Sequence, residues 1–309
     1  MRTRVLRAAA VAIAGCAFIA AARAGATLID STARYPEGPL WRDGRLFYVE
    51  YAGPGIKVWD GKHATDFWRG ERCGASGLIA YGARHLLVAC YDANTIVELD
   101  ATGTTLRSID TDGAGHRFSG PNDFTADRKG GIYVSASGVY DVKAPISGKI
   151  YYLPPGVASA QSGRLIEAAD LIHYPNGLTL SKDGNSLLVA EMLAGRILSF
   201  AIRADGSLGP RTVWARLQDL APPTPHADAY NGPDGLKLGP DGNYYIAQNG
   251  SGRVLVVNDE RKLVRIIRVP APFVTNINFG ADGAATVYIT AAIDPWKAPF
   301  PGAVYRWTK

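Results

Sequence analysis

One short unit recurs along the chain. Glu37-Gly-Pro-Leu-Trp-Arg-Asp-Gly aligns with Asn176-Gly-Leu-Thr-Leu-Ser-Lys-Asp-Gly and with Asp234-Gly-Leu-Lys-Leu-Gly-Pro-Asp-Gly, and a second apolar run follows each. Looser copies begin at Ser76, Asn122 and Asn276. Each copy reads as an alternating strand, a tight turn and a second strand. The Asp-Gly turns supply the positive φ that a hairpin needs, so Asp43, Asp183, Asp241 and Asp282 are read as turn residues. Glycines at 55, 148, 195, 252 and 302 then introduce a third strand in most copies. A spacing of about 47 residues is close to the period of four-stranded propeller blades. The expected fold is therefore all-β, a six-bladed β-propeller with a central metal-binding channel. Radial closure also protects the sheet edges that an open sheet would expose. The ring must close near the C-terminus, and residues 27–33 are candidates to complete the last blade.

The propeller is expected to occupy residues 25–309 as one domain. Ahead of it, Arg2, Arg4 and Arg7 precede an apolar run from Ala8 to Ala22 and an Ala22-Arg23-Ala24 cleavage pattern. That is the layout of a secretory signal over residues 1–24, too short and alanine-rich for a membrane span. A periplasmic or secreted protein cleaved near Ala24 is expected; lipoprotein processing at Cys16 is the rival reading. The formal charge of +5 owes most of its excess to this leader, which has four arginines and no acid. The remainder is nearly neutral and offers no basic footprint for nucleic acid. Cys73 and Cys90 then remain in an oxidising compartment, either joined across neighbouring strands or present as two buried thiols. A closed propeller needs no partner to bury its core, so a monomer is expected.

In a propeller, the innermost strands line the axis, and equivalent residues at their starts form a ring. Here that position reads Glu37, Ser76, Asn122, Asn176, Asp234 and Asn276, oxygen donors throughout. Carboxylates and carboxamides crowded together call for a cation, because unpartnered buried carboxylates are costly. An all-oxygen set selects a hard divalent ion. Calcium is the first expectation, with magnesium, manganese and zinc as substitutes. Any one of these residues is commonly a turn former; the shared register is what points to a site.

The stretches Tyr-Pro-Glu37-Gly-Pro-Leu-Trp, Ser-Gly-Pro-Asn122-Asp-Phe, Tyr-Pro-Asn176-Gly-Leu and Gly-Pro-Asp234-Gly-Leu resemble the signature segments of the gluconolactonase family that includes senescence marker protein 30. Thr275-Asn-Ile-Asn-Phe-Gly and Pro301-Gly-Ala-Val-Tyr-Arg-Trp are similar to that family's last blade. The resemblance implies that Glu37, Asn176 and Asp234 bind the ion directly and that Asn122 completes the site or meets substrate. It also implies that Asp234 is the catalytic base. Many relatives carry an arginine two residues before the asparagine matching Asn122; here that residue is Gly120, with Arg117 further back.

These readings lead to a metal-dependent hydrolase opening an aldonolactone or related γ- or δ-lactone. The ion would polarise the carbonyl, and Asp234 would act as general base or as a nucleophile forming an acyl-enzyme. Substrate contacts are expected from Asn122, Arg117, His226 and Tyr140, with Trp68 a further candidate for the wall. No Gly-x-Ser-x-Gly elbow occurs, and the histidines fall outside the ring register, which argues against a Ser/His/Asp hydrolase. A phosphotriesterase or other esterase on the same scaffold, and a non-catalytic small-ligand-binding propeller, are the alternatives.

Overall fold

The computed structural model describes residues 25–155, 165–224 and 228–309. The signal expected over residues 1–24, and His226, lie outside the described residues. Within the described residues, the strands form six four-stranded antiparallel sheets arranged as a propeller. Blade one comprises Pro36–Arg42, Arg45–Glu50, Gly55–Trp59 and Ala64–Arg69. Blade two comprises Ala75–Tyr81, His85–Cys90, Thr95–Leu99 and Thr105–Ile109. Blade three runs through Pro121–Ala126, Ile132–Ala136, Gly148–Leu153 and Ile166–Ile172. Blade four has Pro175–Leu180, Ser186–Glu191, Arg196–Ile202 and Leu208–Arg216. Blade five has Pro233–Leu238, Tyr244–Gln248, Arg253–Val257 and Leu263–Arg268.

Blade six contains the seam. Phe273–Gly280, Gly283–Ala292 and Gly302–Thr308 supply its first three strands, and Thr27–Asp30 from the start of the fold supplies the fourth. Thr27 faces Arg306 and Leu28 faces Tyr305. The junction is fixed by side chains as well: Tyr48 of blade one donates its hydroxyl to the Asp30 carboxylate.

The hydrophobic cores lie between blades. Phe47, Val49, Ile56 and Val58 of blade one pack against Leu78, Leu86, Val88 and Val97 of blade two. Blades five and six meet likewise through Val254, Val256, Val274 and Ile289. Alternation along each strand sends one set of side chains to each neighbouring blade, so both faces of the middle strands are buried. Trp68 belongs to this packing rather than to a substrate wall: it is buried between blades one and two, and its indole nitrogen donates to Thr105 Oγ1 at 3.0 Å.

The inner strands approach one another so closely that side chains are excluded at several points. A Cβ on Gly77 would lie 2.1 Å from the Asn122 carbonyl oxygen, and one on Gly177 would lie 2.2 Å from the Leu236 nitrogen. The Ser-Gly and Asn-Gly pairs at the starts of these strands therefore answer to contact between blades.

Candidate active site

Each inner strand begins beside the axis and carries an irregularity within its first four residues. In blade four, Pro175 faces Glu191 and Leu178 faces Val189. Blade six has the same spacing, with Val274 facing Ala291 and Ile277 facing Ile289. This register aligns Thr275, rather than Asn276, with Asn176. Hydrogen bonding agrees: Thr275 Oγ1 donates to the Pro36 carbonyl at 2.7 Å, as Ser76 Oγ does to the Pro121 carbonyl at 2.9 Å. The ring is thus Glu37, Ser76, Asn122, Asn176, Asp234 and Thr275. Asn276 sits one step deeper, where four of the other blades carry glycine and blade three carries Asp123.

Glu37, Ser76, Asn122, Asn176 and Asp234 form the floor of a cavity of about 180 Å³. The four that the resemblance singles out are all buried. Met192 Sδ accepts a weak hydrogen bond from Asn176 Nδ2 at 3.6 Å, and Asp234 Oδ2 accepts from Asn249 Nδ2 at 2.9 Å. The other oxygens, Asn176 Oδ1 and Asp234 Oδ1, are buried and have no hydrogen-bond partner. Orphaned acceptors of this kind are rare in folded proteins, and each costs free energy unless something fills the gap. Burial, followed by the charges of Asp234 and Asp123, holds the Glu37 carboxyl well above the usual carboxylate range. Burial, and then Asp123, does the same to Asp234. Two desolvated carboxylates with free amide and carboxylate oxygens suit a divalent cation bound through oxygen.

Tyr140 lines the cavity, from the loop between the second and third strands of blade three. Arg117 does not: its guanidinium is exposed and paired with Asp110 at 2.8 Å. The Gly120 that stands nearer the site has φ of 61°, and a Cβ there would lie 2.6 Å from the Tyr91 ring. An arginine at that position would be strained by the backbone and would have to displace the Tyr91 ring.

Several wall residues fall outside the expected list. Tyr51, Tyr91, Met192 and Asn249 line the cavity immediately after the second strand of their blades. Their backbone nitrogens donate to Tyr35, Gly74, Tyr174 and Gly232, the residues just before the inner strands. They form a second ring above the first, legible as the residue one step past each second apolar run. Tyr35, Tyr174, Phe273 and Trp296 complete the wall.

Cys73 and Cys90 are joined by a disulfide. In blades one and four the equivalent gap is bridged by a carboxylate, Glu50 accepting from the Arg34 nitrogen and Glu191 from the His173 nitrogen. Elsewhere, Asp112, His116 and Glu167 lie close together. Asp112 there accepts from the nitrogens of Ala114 and His116, and Glu167 pairs with Lys149, so the group is internally satisfied.

Residues 35–293 match the family model described as the SMP-30/gluconolactonase/LRE-like region. Regucalcin from Xenopus laevis is 24% identical over 301 residues, spanning 91% of this chain and 93% of its own length. Among solved structures, a gluconolactonase from Xanthomonas campestris superposes with a TM-score of 0.71 at 23% identity, covering 91% of this chain and 89% of its own. A calcium-binding regucalcin from Agrobacterium tumefaciens gives 0.70 at 17% identity, with 92% of each chain covered. These structural likenesses establish the six-bladed fold.

Proposed function

The chain belongs to the SMP-30/gluconolactonase/LRE-like family, and from that premise we propose that its axial cavity hydrolyses small lactones with the help of one divalent ion, calcium first. The observation that carries this reading is the pair of buried, unpartnered oxygens on Asn176 and Asp234 at the cavity floor. Glu37, Asn176 and Asp234 would hold the ion, with Asn122 completing the set. When bound, such an ion supplies Lewis-acid polarisation of the ester carbonyl.

The residues supply the rest. Asn249 fixes one Asp234 oxygen and leaves Oδ1 without a protein partner. The Asp234 carboxylate takes a proton from the attacking water as the C–O bond to the acyl carbon forms, and returns it to the ring oxygen as the ester bond breaks. The product is the open hydroxy acid, and the carboxylate is regenerated. General-base help of this kind is worth about 10²- to 10⁴-fold. The aromatic wall limits the water around the reacting ester and strengthens electrostatic effects there. The name of one structural relative supports the same chemistry, since it is a gluconolactonase.

The test is proton release from a panel of γ- and δ-lactones, measured before chelation, after chelation and after calcium is restored. Turnover should vanish with the metal and return with it. A metal-loaded protein that opens no lactone in the panel would refute the reading.

A further inference from the structure

The wall says more about the substrate than the floor does. Its rings form a continuous arc: Tyr35 lies 5.3 Å from Tyr51, Tyr51 is 6.1 Å from Tyr91, and Tyr91 is 6.3 Å from Tyr174. Tyr174 lies 4.9 Å from Tyr140, which stacks at 19° against Trp296. Three of the hydroxyls are turned to other tasks. Tyr51 donates to Asp92 at 2.8 Å, Tyr91 to the Gly138 carbonyl at 2.6 Å and Tyr140 to the Tyr230 carbonyl at 2.9 Å. What these side chains offer a ligand is therefore ring surface.

Two positions hold their rings at a conformational cost. Blades two and three begin with glycines at positive φ, Gly74 at 57° and Gly120 at 61°; blades one and four place Tyr35 at 47° and Tyr174 at 62° in the same role. A bulky residue in the left-handed region is strained, and such strain persists where the surroundings over-determine it, often at ligand sites. Among the described residues, no lysine, arginine or histidine lines the cavity. Trp296 stands at the rim with 68% of its surface exposed, the most exposed of the large hydrophobic residues described.

We propose, resting on the lactone-hydrolysing reading above, that this site takes neutral lactones bearing a planar aromatic group, and discriminates against polyhydroxylated or anionic ones. A sugar ring can also stack on an indole. Its hydroxyls would then lose water against a wall where the hydroxyls of Tyr51, Tyr91 and Tyr140 already donate elsewhere, and polar groups that lose water without a full set of partners are rejected. An anionic substituent meets no lysine, arginine or histidine among the described wall residues. An aryl group instead meets offset and edge-on ring surface, the geometry aromatic pairs prefer.

The experiment compares kcat/KM for γ-phenyl-γ-butyrolactone, γ-butyrolactone and glucono-1,5-lactone in the calcium-loaded protein, in Trp296→Ala and in Trp296→Phe. The phenyl lactone should be preferred over the sugar lactone by about tenfold or more, and Trp296→Ala should cut its kcat/KM about tenfold through KM. γ-Butyrolactone should lose far less than the phenyl lactone, and Trp296→Phe should restore most of the loss. Faster turnover of the sugar lactone, or an equal effect of Trp296→Ala on all three, overturns the proposal while leaving lactone hydrolysis intact. If no lactone turns over, calorimetry with 5-phenyl-2-pyrrolidinone and gluconolactam separates the two ideas. Preferential, Trp296-dependent binding of the phenyl lactam sustains the aromatic preference and discards the chemistry; preference for gluconolactam, or binding of neither, overturns both.

Discussion

The two ends of the axial channel are built from the same inner strands and do opposite things. At the upper end, Asn176 Oδ1 and Asp234 Oδ1 are buried without partners, and Glu37 and Asp234 press two carboxylates together. One residue further along those strands, Asp123 is just as buried, yet its carboxylate is fully engaged: Oδ2 accepts from Lys237 Nζ at 2.9 Å and Asn276 Nδ2 at 3.3 Å, and Oδ1 from the Phe124 nitrogen at 2.7 Å. The lower end carries its own cation as a side chain. The upper end has no such side chain among the described residues, and it is there that the proposed ion would sit. Buried charge is thus structural where the chain supplies the counter-charge, and functional where it does not.

The sharpest way to break this contrast is to alter one carboxylate at each end. Asp234→Asn keeps the shape and the Asn249 contact, so it should cost about 10²- to 10⁴-fold in kcat while leaving the melting temperature of the chelated protein unchanged or raised. Lys237→Met should do the reverse. It leaves Asp123 uncompensated and should cost about 3–5 kcal/mol of stability by urea denaturation, and adding Asp123→Asn should recover most of the loss. If Lys237→Met leaves stability intact, the lower pair is not the closed structural element described here.

Reducing the Cys73–Cys90 disulfide probes the upper wall alone, since its cysteines flank Gly74 and Tyr91. A closed loop of this length contributes about 3 kcal/mol, so a Cys73→Ser/Cys90→Ser variant should unfold at lower urea. Calcium should stabilise the protein by about 2.7 kcal/mol at a hundredfold excess over its Kd, with a particular pH dependence. Glu37 and Asp234 have pKa values raised in the metal-free fold. The native state then holds protons that the unfolded chain releases, so the chelated protein should lose stability as pH rises from the ordinary carboxylate range through those raised values. Calcium should flatten that slope, as thermal melts across pH with and without the ion would reveal.

The blade count was legible because strand alternation and Asp-Gly turns repeat in step, and the ring could be found because polar residues precede an apolar strand in every copy. Asn276 was misaligned by one residue for a physical reason. Glycine follows the ring residue in four blades, and Asn-Ile in blade six imitates a ring residue followed by a strand, although Asn276 fills the space below the ring. Arg117 is the nearest cation in sequence to Asn122, but its side chain faces solvent beside Asp110, which sequence proximity does not reveal. The positions of Tyr51, Tyr91, Met192 and Asn249 are marked by the end of each second apolar run, but that they face the cavity depends on pairing back to the residues before the inner strands. The disulfide was left open because spacing alone does not set the distance between neighbouring strand ends.

The most direct test of the account is a calorimetric titration of the chelated protein with calcium. One site per chain is predicted, abolished in Asn176→Ala, weakened in Asp234→Asn and retained in Asp123→Asn/Lys237→Met. No calcium binding, or binding that survives both upper-end substitutions unchanged, would contradict it.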